Sequence, residues 1–471
     1  MHNSRDEGAP DGHATDRPVG NSRRRPVRTS GKTRAIAAVL FSAAALSMHT
    51  GHGAESGPPA AHPPSAVRAP VLRESPHFTL HTDLPADKAD ALLQRMEATL
   101  SFAAECWKRP PRGRIECYVA QDIRNWPDYE LPNPAARVIV KEIGGVTFGR
   151  KSGAGKSRHN TAVIYASTAP GVAEHEVMHA YCAQTFGELG PTWYKEGMAE
   201  MAVLGHGELR RDRERLLALR NGTARSIRDV LSAGEAAKQL TSSLNTMISN
   251  RGGNERQVST TAWTAQDADS FRLARQDCLQ SWALCYLLYN NPNYSQRFQS
   301  LGSDYLTKRD VTFEQLFAPM AREVSFEYGF FLQHIDTGYR VDLCRWDWHR
   351  RQTAQGVDDR REHYAAARGW QASDISVSAG RRYSFDAAGQ WSTSADRPAT
   401  DADGDAAGNG RLVAVVMQDF SLGDSFSLGR HGEFVAPQSG RLYLRCQDAW
   451  NELSDNCGQM RLHIQPLPNV P

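Results

Sequence analysis

The sequence predicts two folded units: an α+β unit in which a small mixed sheet feeds a helical subdomain, then an all-β sandwich at the C-terminus. Three observations predict it. Between Phe78 and Ala166, short alternating apolar runs surround an amphipathic helical stretch. From Glu208 to Ile335 the pattern is mostly helical, with core faces such as Leu279, Trp282, Ala283, Tyr286 and Leu287. From Ser373 onward the period changes to two, and Gly and Pro punctuate the runs. A chain of 471 residues is long enough to bury two cores.

The elements follow in order. Ala35 to Met48 is apolar, follows Arg23, Arg24, Arg25, Arg28, Lys32 and Arg34, and is trailed by small residues. That layout is a secretory leader over 1–54, and the run is too short for a stable membrane span in the mature protein. Residues 55–74 read as a Pro- and Ala-rich linker, and 75–345 as the α+β unit. In that unit Phe78 to Thr82 is a strand and Ala86 to Cys106 a helix with Leu92, Leu93, Met96, Leu100 and Ala103 on one face. Ile115 to Val119, Val138 to Val140, Val146 to Phe148 and Thr161 to Ala166 are further strands. Gly149 to Ser157, GRKSGAGKS, imitates a phosphate-binding loop, but its spacing is one residue too long and a strand follows it. Arg251 to Thr261 reads as a polar loop over the cleft. Residues 346–372 form a charged connector, and 373–471 the sandwich. A formal charge of +2 gives no drive toward nucleic acid.

The chemistry concentrates in Pro170 to Glu200, PGVAEHEVMHAYCAQTFGELGPTWYKEGMAE. His175 and His179 stand four residues apart, so on a helix both imidazoles reach one ion. Glu176 is placed to take a proton from a water at the ion's open position. Thr192 can cap a second helix that returns Glu196, seventeen residues after His179, as a third ligand. Glu200, one turn further on, can accept the outer N–H of a ligating histidine. His206 reads as a structural histidine rather than a fourth ligand.

HEVMH followed by WYKEGMAE resembles the gluzincin (peptidase MA-like) zinc metallopeptidases, over about 75–345. The resemblance implies that His175, His179 and Glu196 bind zinc, that Glu176 is the general base, and that Glu200 backs the site. It also implies that Thr161 to Ala166 is the sheet edge that pairs with extended substrate. In relatives a tyrosine on a later helix donates to the oxyanion; that position is Cys278 here, leaving Tyr286 and Tyr289 as alternative donors.

In the sandwich, the loop Asp448 to Gly458 joins two strands and offers oxygen ligands suited to a hard cation. With Gly389-Gln390-Trp391 and GEFVAPQSGRLYLRCQD, it resembles the PA-IL-type galactose-binding lectin domain over about 375–466. The resemblance implies calcium at Asp448, Asp455 and Asn456, with carbonyls near Ser394 and Glu452, and glycans or glycoproteins as partners. Eight cysteines suit an oxidising compartment; Cys106 with Cys117, and Cys446 with Cys457, are candidate disulfides, whereas Cys278 and Cys285 on one helix cannot bridge. The expected protein is a zinc-dependent peptidase, secreted, periplasmic or at the cell surface, that hydrolyses peptide bonds with a metal-activated water and is targeted by a lectin-like domain. The alternative is a weak or inert peptidase scaffold acting as a carbohydrate-binding surface protein.

Overall fold

The computed structural model describes residues 35–38 and 70–468, apart from 122, 124–125, 128–130, 132, 134, 153–158, 205–212, 223–224, 233–264 and 350–361. His206 and most of the Arg251 to Thr261 loop's neighbourhood, the loop included, fall outside the described residues. The first sheet contains β1 (Ala35–Ala38), β2 (Val71–Glu74), β3 (Phe78–Thr82), β4 (Ile115–Ala120), β5 (Gly145–Ser152) and β6 (His159–Ser167). Their order is β1-β5-β6-β4-β3-β2, with β3, β4 and β6 parallel and the other pairings antiparallel. Alternation assigns the faces. Phe78, Leu80, Cys117, Val119 and Ile164 pack under α1 (Ala86–Trp107), whereas Tyr118, Val146 and Tyr165 pack under α2 (Ala135–Ile143).

Two expectations are corrected here. Val138 to Val140 is helix, not strand. Ala136, Ile139, Val140 and Ile143 are buried at helical spacing, a period that a three-residue apolar window cannot display. Thr161 to Ala166 is not a sheet edge either: β6 lies between β4 and β5. The strand outside it is β5, and β1, the start of the apolar leader run, pairs with the far side of β5 from Ala35 opposite Arg150 to Ala38 opposite Thr147. Gly149 to Ser152 of the phosphate-loop imitation belong to β5.

The helical part comprises α3 (Val172–Thr185), α4 (Thr192–Leu204), α5 (Arg213–Asn221), α6 (Ile227–Leu231), α7 (Ala265–Asn290), α8 (Ser295–Leu306), α9 (Phe313–Phe317) and α10 (Ala321–His334). It shares one core with the α1 face of the sheet. Among the described residues no helix is long and apolar enough to cross a membrane.

The C-terminal strands form two facing sheets of a sandwich. One carries β8 (Gln371–Val377), β10 (Leu412–Gln418), β11 (Ser421–Leu422), β12 (Phe426–Ser427) and β14 (Gly440–Cys446); the other carries β7 (Glu362–Ala365), β9 (Arg382–Ser392), β13 (His431–Val435) and β15 (Cys457–Pro466). Trp391, Leu412, Leu442, Leu444, Met460 and Leu462 fill the space between. The sandwich begins earlier than residue 373: β7 and the first residues of β8 lie in the stretch read as a connector. The outer face of the β8–β14–β10 sheet is buried as well. Val413, Val415, Met417 and Tyr443 pack with Trp346 and Trp370 against Phe326 and Phe330 of α10.

All eight cysteines are free. Cys446 pairs with Leu412 in one sheet, and Cys457 stands opposite Ser392 in the other, so the two flank the loop without being strand neighbours. Cys106 turns its thiol to the Tyr289 hydroxyl at 3.6 Å, and Cys117 to the Ile115 carbonyl.

Candidate metal centre

In α3 every residue of Val172 to Cys182 is buried, HEVMH included. It lies between the sheet and α4, and α4 is pressed in turn against α7. Gly197 makes that approach possible. A Cβ there would stand 2.5 Å from Cys285 Sγ and 2.6 Å from the Ser281 carbonyl oxygen. The close packing brings Glu196, the residue before it, to the two histidines.

His175 Nε2 and His179 Nε2 are 3.0 Å apart, and Glu196 Oε2 lies 3.3 and 3.7 Å from them. Tetrahedral ligands at ordinary zinc bond lengths would be separated by about 3.3 Å, so the spacing fits one ion of that size. These three residues are the group among the described residues whose donor atoms converge closely enough for a metal. All are buried, as are Glu176 and Glu200. Five polar atoms here have no hydrogen-bond partner: His175 Nδ1, Glu176 Oε1, Glu196 Oε1 and both Glu200 oxygens. Glu200 Oε1 is 3.2 Å from His175 Nδ1, in ion-pair range but not aligned as a hydrogen bond. Lys195 Nζ approaches Glu196 Oε1 at 3.3 Å, and Arg215 approaches Glu200 at 3.7 Å.

The electrostatics draw positive charge inward. Burial alone would lower His175, but Glu196 and Glu200 overcome it and raise the imidazole to about 10. Burial dominates at His179, which falls to about 4. Glu196 is held well below the carboxylate range, because Lys195 and the two imidazoles outweigh its burial. A proton on His175 thus balances two buried carboxylates, and a divalent cation would replace it.

Two residues of the site had no signal in the sequence. Thr147 on β5 donates its hydroxyl to Glu176 Oε2 at 2.8 Å and lies 3.1 Å from the Glu176 carbonyl oxygen. Gly145 leaves room for that carboxylate: a Cβ would stand 2.9 Å from Glu176 Oε1 and 2.7 Å from Val172 Cγ1. Burial raises Glu176 to about 8, against the opposing pull of His175 and Thr147.

The structure does not bring the two candidate oxyanion donors to the triad. Cys278 does face it, with Sγ 4.0 Å from Glu196 Oε2. Tyr286 and Tyr289 lie further along the same helix, roughly 12 and 16 Å by the helical rise. Tyr286 stacks on Phe331 and Tyr289 meets Phe102 and Cys106, so the packing of α7 turns both away. A water-sized cavity of about 10 Å³, lined in part by Met178, Lys195 and Met198, borders His179.

In the sandwich loop, Asp448 Oδ2 and Asn456 Oδ1 are buried and accept no hydrogen bond. Asn456 Nδ2 donates to the Ala366 carbonyl, which fixes the amide with its oxygen turned the other way. Burial raises the Asp448 carboxyl, with Asn456 beside it. Asp455 ends a short 3-10 turn and is exposed. The Ser394 carbonyl accepts the Ser392 hydroxyl.

No family model and no curated protein matches the chain. A solved structure described as EclA N-terminal domain, PllA-like lectin, is similar to part of it: 16% identity over 22% of this chain and 94% of that one, at a TM-score of 0.20.

Proposed function

We propose that the protein is an exported zinc-dependent peptidase. The observation that carries this reading is the convergence of His175, His179 and Glu196 in a buried cluster, in which His175 Nδ1 and Glu196 Oε1 neither accept nor donate a hydrogen bond, with Glu176 beside His175 on the same helix. His175, His179 and Glu196 would hold the ion. Zinc supplies Lewis acidity there, polarising a scissile carbonyl and acidifying water. Glu176 accepts the proton of the attacking water and returns it to the leaving amine. Thr147 occupies Glu176 Oε2 and so leaves Oε1 for that transfer. Glu200 Oε1, 3.2 Å behind His175 Nδ1, would orient that ring by its charge. The test is peptide hydrolysis that a chelator abolishes and zinc restores, with Glu176→Gln retaining zinc but losing turnover, and Glu196→Ala losing zinc. Glu176→Gln losing the ion while Glu196→Ala keeps it would reverse the two roles.

A second reading has its own support: a thiol stands where a stronger donor is needed, and the tyrosines face elsewhere. On that reading the scaffold binds zinc with little or no turnover and the sandwich carries the function. Asp448, Asp455 and Asn456 would then hold calcium, and calcium would meet the hydroxyls of a glycan. The buried oxygens of Asp448 and Asn456 without donors support the cation site. Calorimetry of the whole chain with millimolar calcium, beside Asp455→Ala, tests it; a melting temperature indifferent to both ends the calcium reading.

A further inference from the structure

A second cavity, of about 360 Å³, opens where the helical part meets the sandwich, far along the chain from the metal cluster and outside the Asp448 loop. Its size is in the range of small-ligand sites, roughly 300–1,000 Å³. Its walls are held from beneath. Glu327 on α10 is buried, and Tyr294 OH and Trp348 Nε1 both donate to its Oε1 at 2.6 Å. Asn293 reaches the same oxygen at 3.4 Å and the Trp346 carbonyl at 2.8 Å. Asn293, Tyr294 and Trp348 all line the cavity, so one buried carboxylate sets the position of three wall residues. Such a hub costs desolvation, and it gives a preorganised wall in return.

The chemistry of the lining selects the ligand class. Half-buried Trp348 brings aromatic surface to the wall, with the fully buried Trp346 stacked behind it at 5.7 Å. Around them stand planar hydrogen-bonding groups of balanced charge: Arg345 and Arg368 against Glu323 and Asp347. Arg368 pairs with Asp347 Oδ1 at 2.9 Å, while Asp347 Oδ2 is buried and accepts nothing. Balanced charge gives no preference for a phosphate or a cation. None of the lining residues belongs to a strand, so there is no open sheet edge for an extended peptide to pair with. A ligand with apolar C–H faces and a fixed ring of hydroxyls meets both the aromatic and the polar parts.

We propose that this cavity binds a neutral saccharide of one or two rings, with Asp347 and Arg345 as hydroxyl partners against the Trp348 ring. The site needs neither the zinc cluster nor calcium. The experiment titrates the whole protein in EGTA with maltose, cellobiose, lactose and chitobiose, followed by tryptophan emission and saturation-transfer NMR. At least one disaccharide is expected to saturate, and Asp347→Asn is expected to weaken it about tenfold or more. Arg345 is exposed, so Arg345→Ala tests the same wall without a folding risk and is expected to weaken binding in the same direction. The proposal is overturned if none of the four saturates by roughly 50 mM. It is also overturned if binding is indifferent to Arg345→Ala and to folded Asp347→Asn, or if it appears only when calcium is restored, which would place the sugar on the sandwich loop.

Discussion

Glu176, the base on the proposed reading, has a hydrogen-bond partner. Its buried carboxylate fits beside Gly145, where a Cβ would stand 2.9 Å from Oε1, and the Thr147 hydroxyl fixes Oε2. Thr147→Val keeps the shape and removes that donor. It is expected to lower kcat by about tenfold or more with zinc content unchanged, and Thr147→Ser is expected to restore the rate. A purely structural role for Thr147 would instead lower zinc content and thermal stability together. On the same reading Glu200 is expected to act on zinc affinity rather than on rate. With its carboxylate 3.2 Å from His175 Nδ1, Glu200→Gln is expected to weaken zinc binding about 10–100-fold, measured by competition with a chromophoric chelator. An unchanged affinity would remove Glu200 from the site.

At the scale of elements, the centre depends on how closely α4 lies on α7. Gly197→Ala introduces a Cβ against Cys285 and the Ser281 carbonyl, and the backbone oxygen cannot step aside. Overpacking of this kind costs about 1–3 kcal/mol, and the shift of α4 moves Glu196 with it. Chemical denaturation should show the loss, and zinc titration a weaker site; wild-type values for both would mean that the contact relaxes locally. The same elements show what the sequence could and could not reveal. The convergence of the i, i+4 histidines with the returning glutamate was legible because helical spacing puts both imidazoles on one face and the next helix returns within thirty residues. Thr147 and Gly145 were not, because their role depends on which strand lies over α3, and pairing between distant strands leaves no local mark. Val138 to Val140 misled because three apolar residues carry no period, and Tyr286 and Tyr289 because a helical face was known but not its bearing. The two sandwich sheets were visible as alternation, but which strands are neighbours was not. Hence Cys446 and Cys457 looked bridgeable and are on different sheets.

At the scale of the molecule, the sandwich and the helical body are joined by burial. A fragment of residues 373–471 lacks β7 and the beginning of β8, including Gln371, whose side chain satisfies the Ala365 N–H and carbonyl. It would also expose Val413, Val415 and Tyr443. This fragment is expected to show no cooperative melting by circular dichroism; a sharp transition would mean that the remaining strands suffice. The junction also makes stability depend on pH. Burial raises Glu327 to about 7 from an ordinary 4.5, against the hydrogen bonds from Tyr294, Trp348, Asn291 and Asn293. The native chain therefore holds a proton that the unfolded chain has released across that window. Stability is expected to fall as pH rises from about 4.5 to about 7, by up to about 3 kcal/mol. Denaturation midpoints at about pH 5 and about pH 8 check this: the fall should be present in the wild type and reduced in Glu327→Gln.

The Trp346–Trp348 junction also sets how the protein can reach a target. A module on a loose tether sweeps a volume, and the tether length decides what its neighbour meets. Here the last strands are seated on α10 through Phe326, Phe330 and Tyr443, and Arg445 lies over the Trp450 ring at 3.7 Å. The sandwich therefore works as a fixed bracket. If the sandwich grips a surface, as proposed, that surface fixes the bearing of the His175–His179–Glu196 cluster, and only bonds presented at one height and angle would come within range.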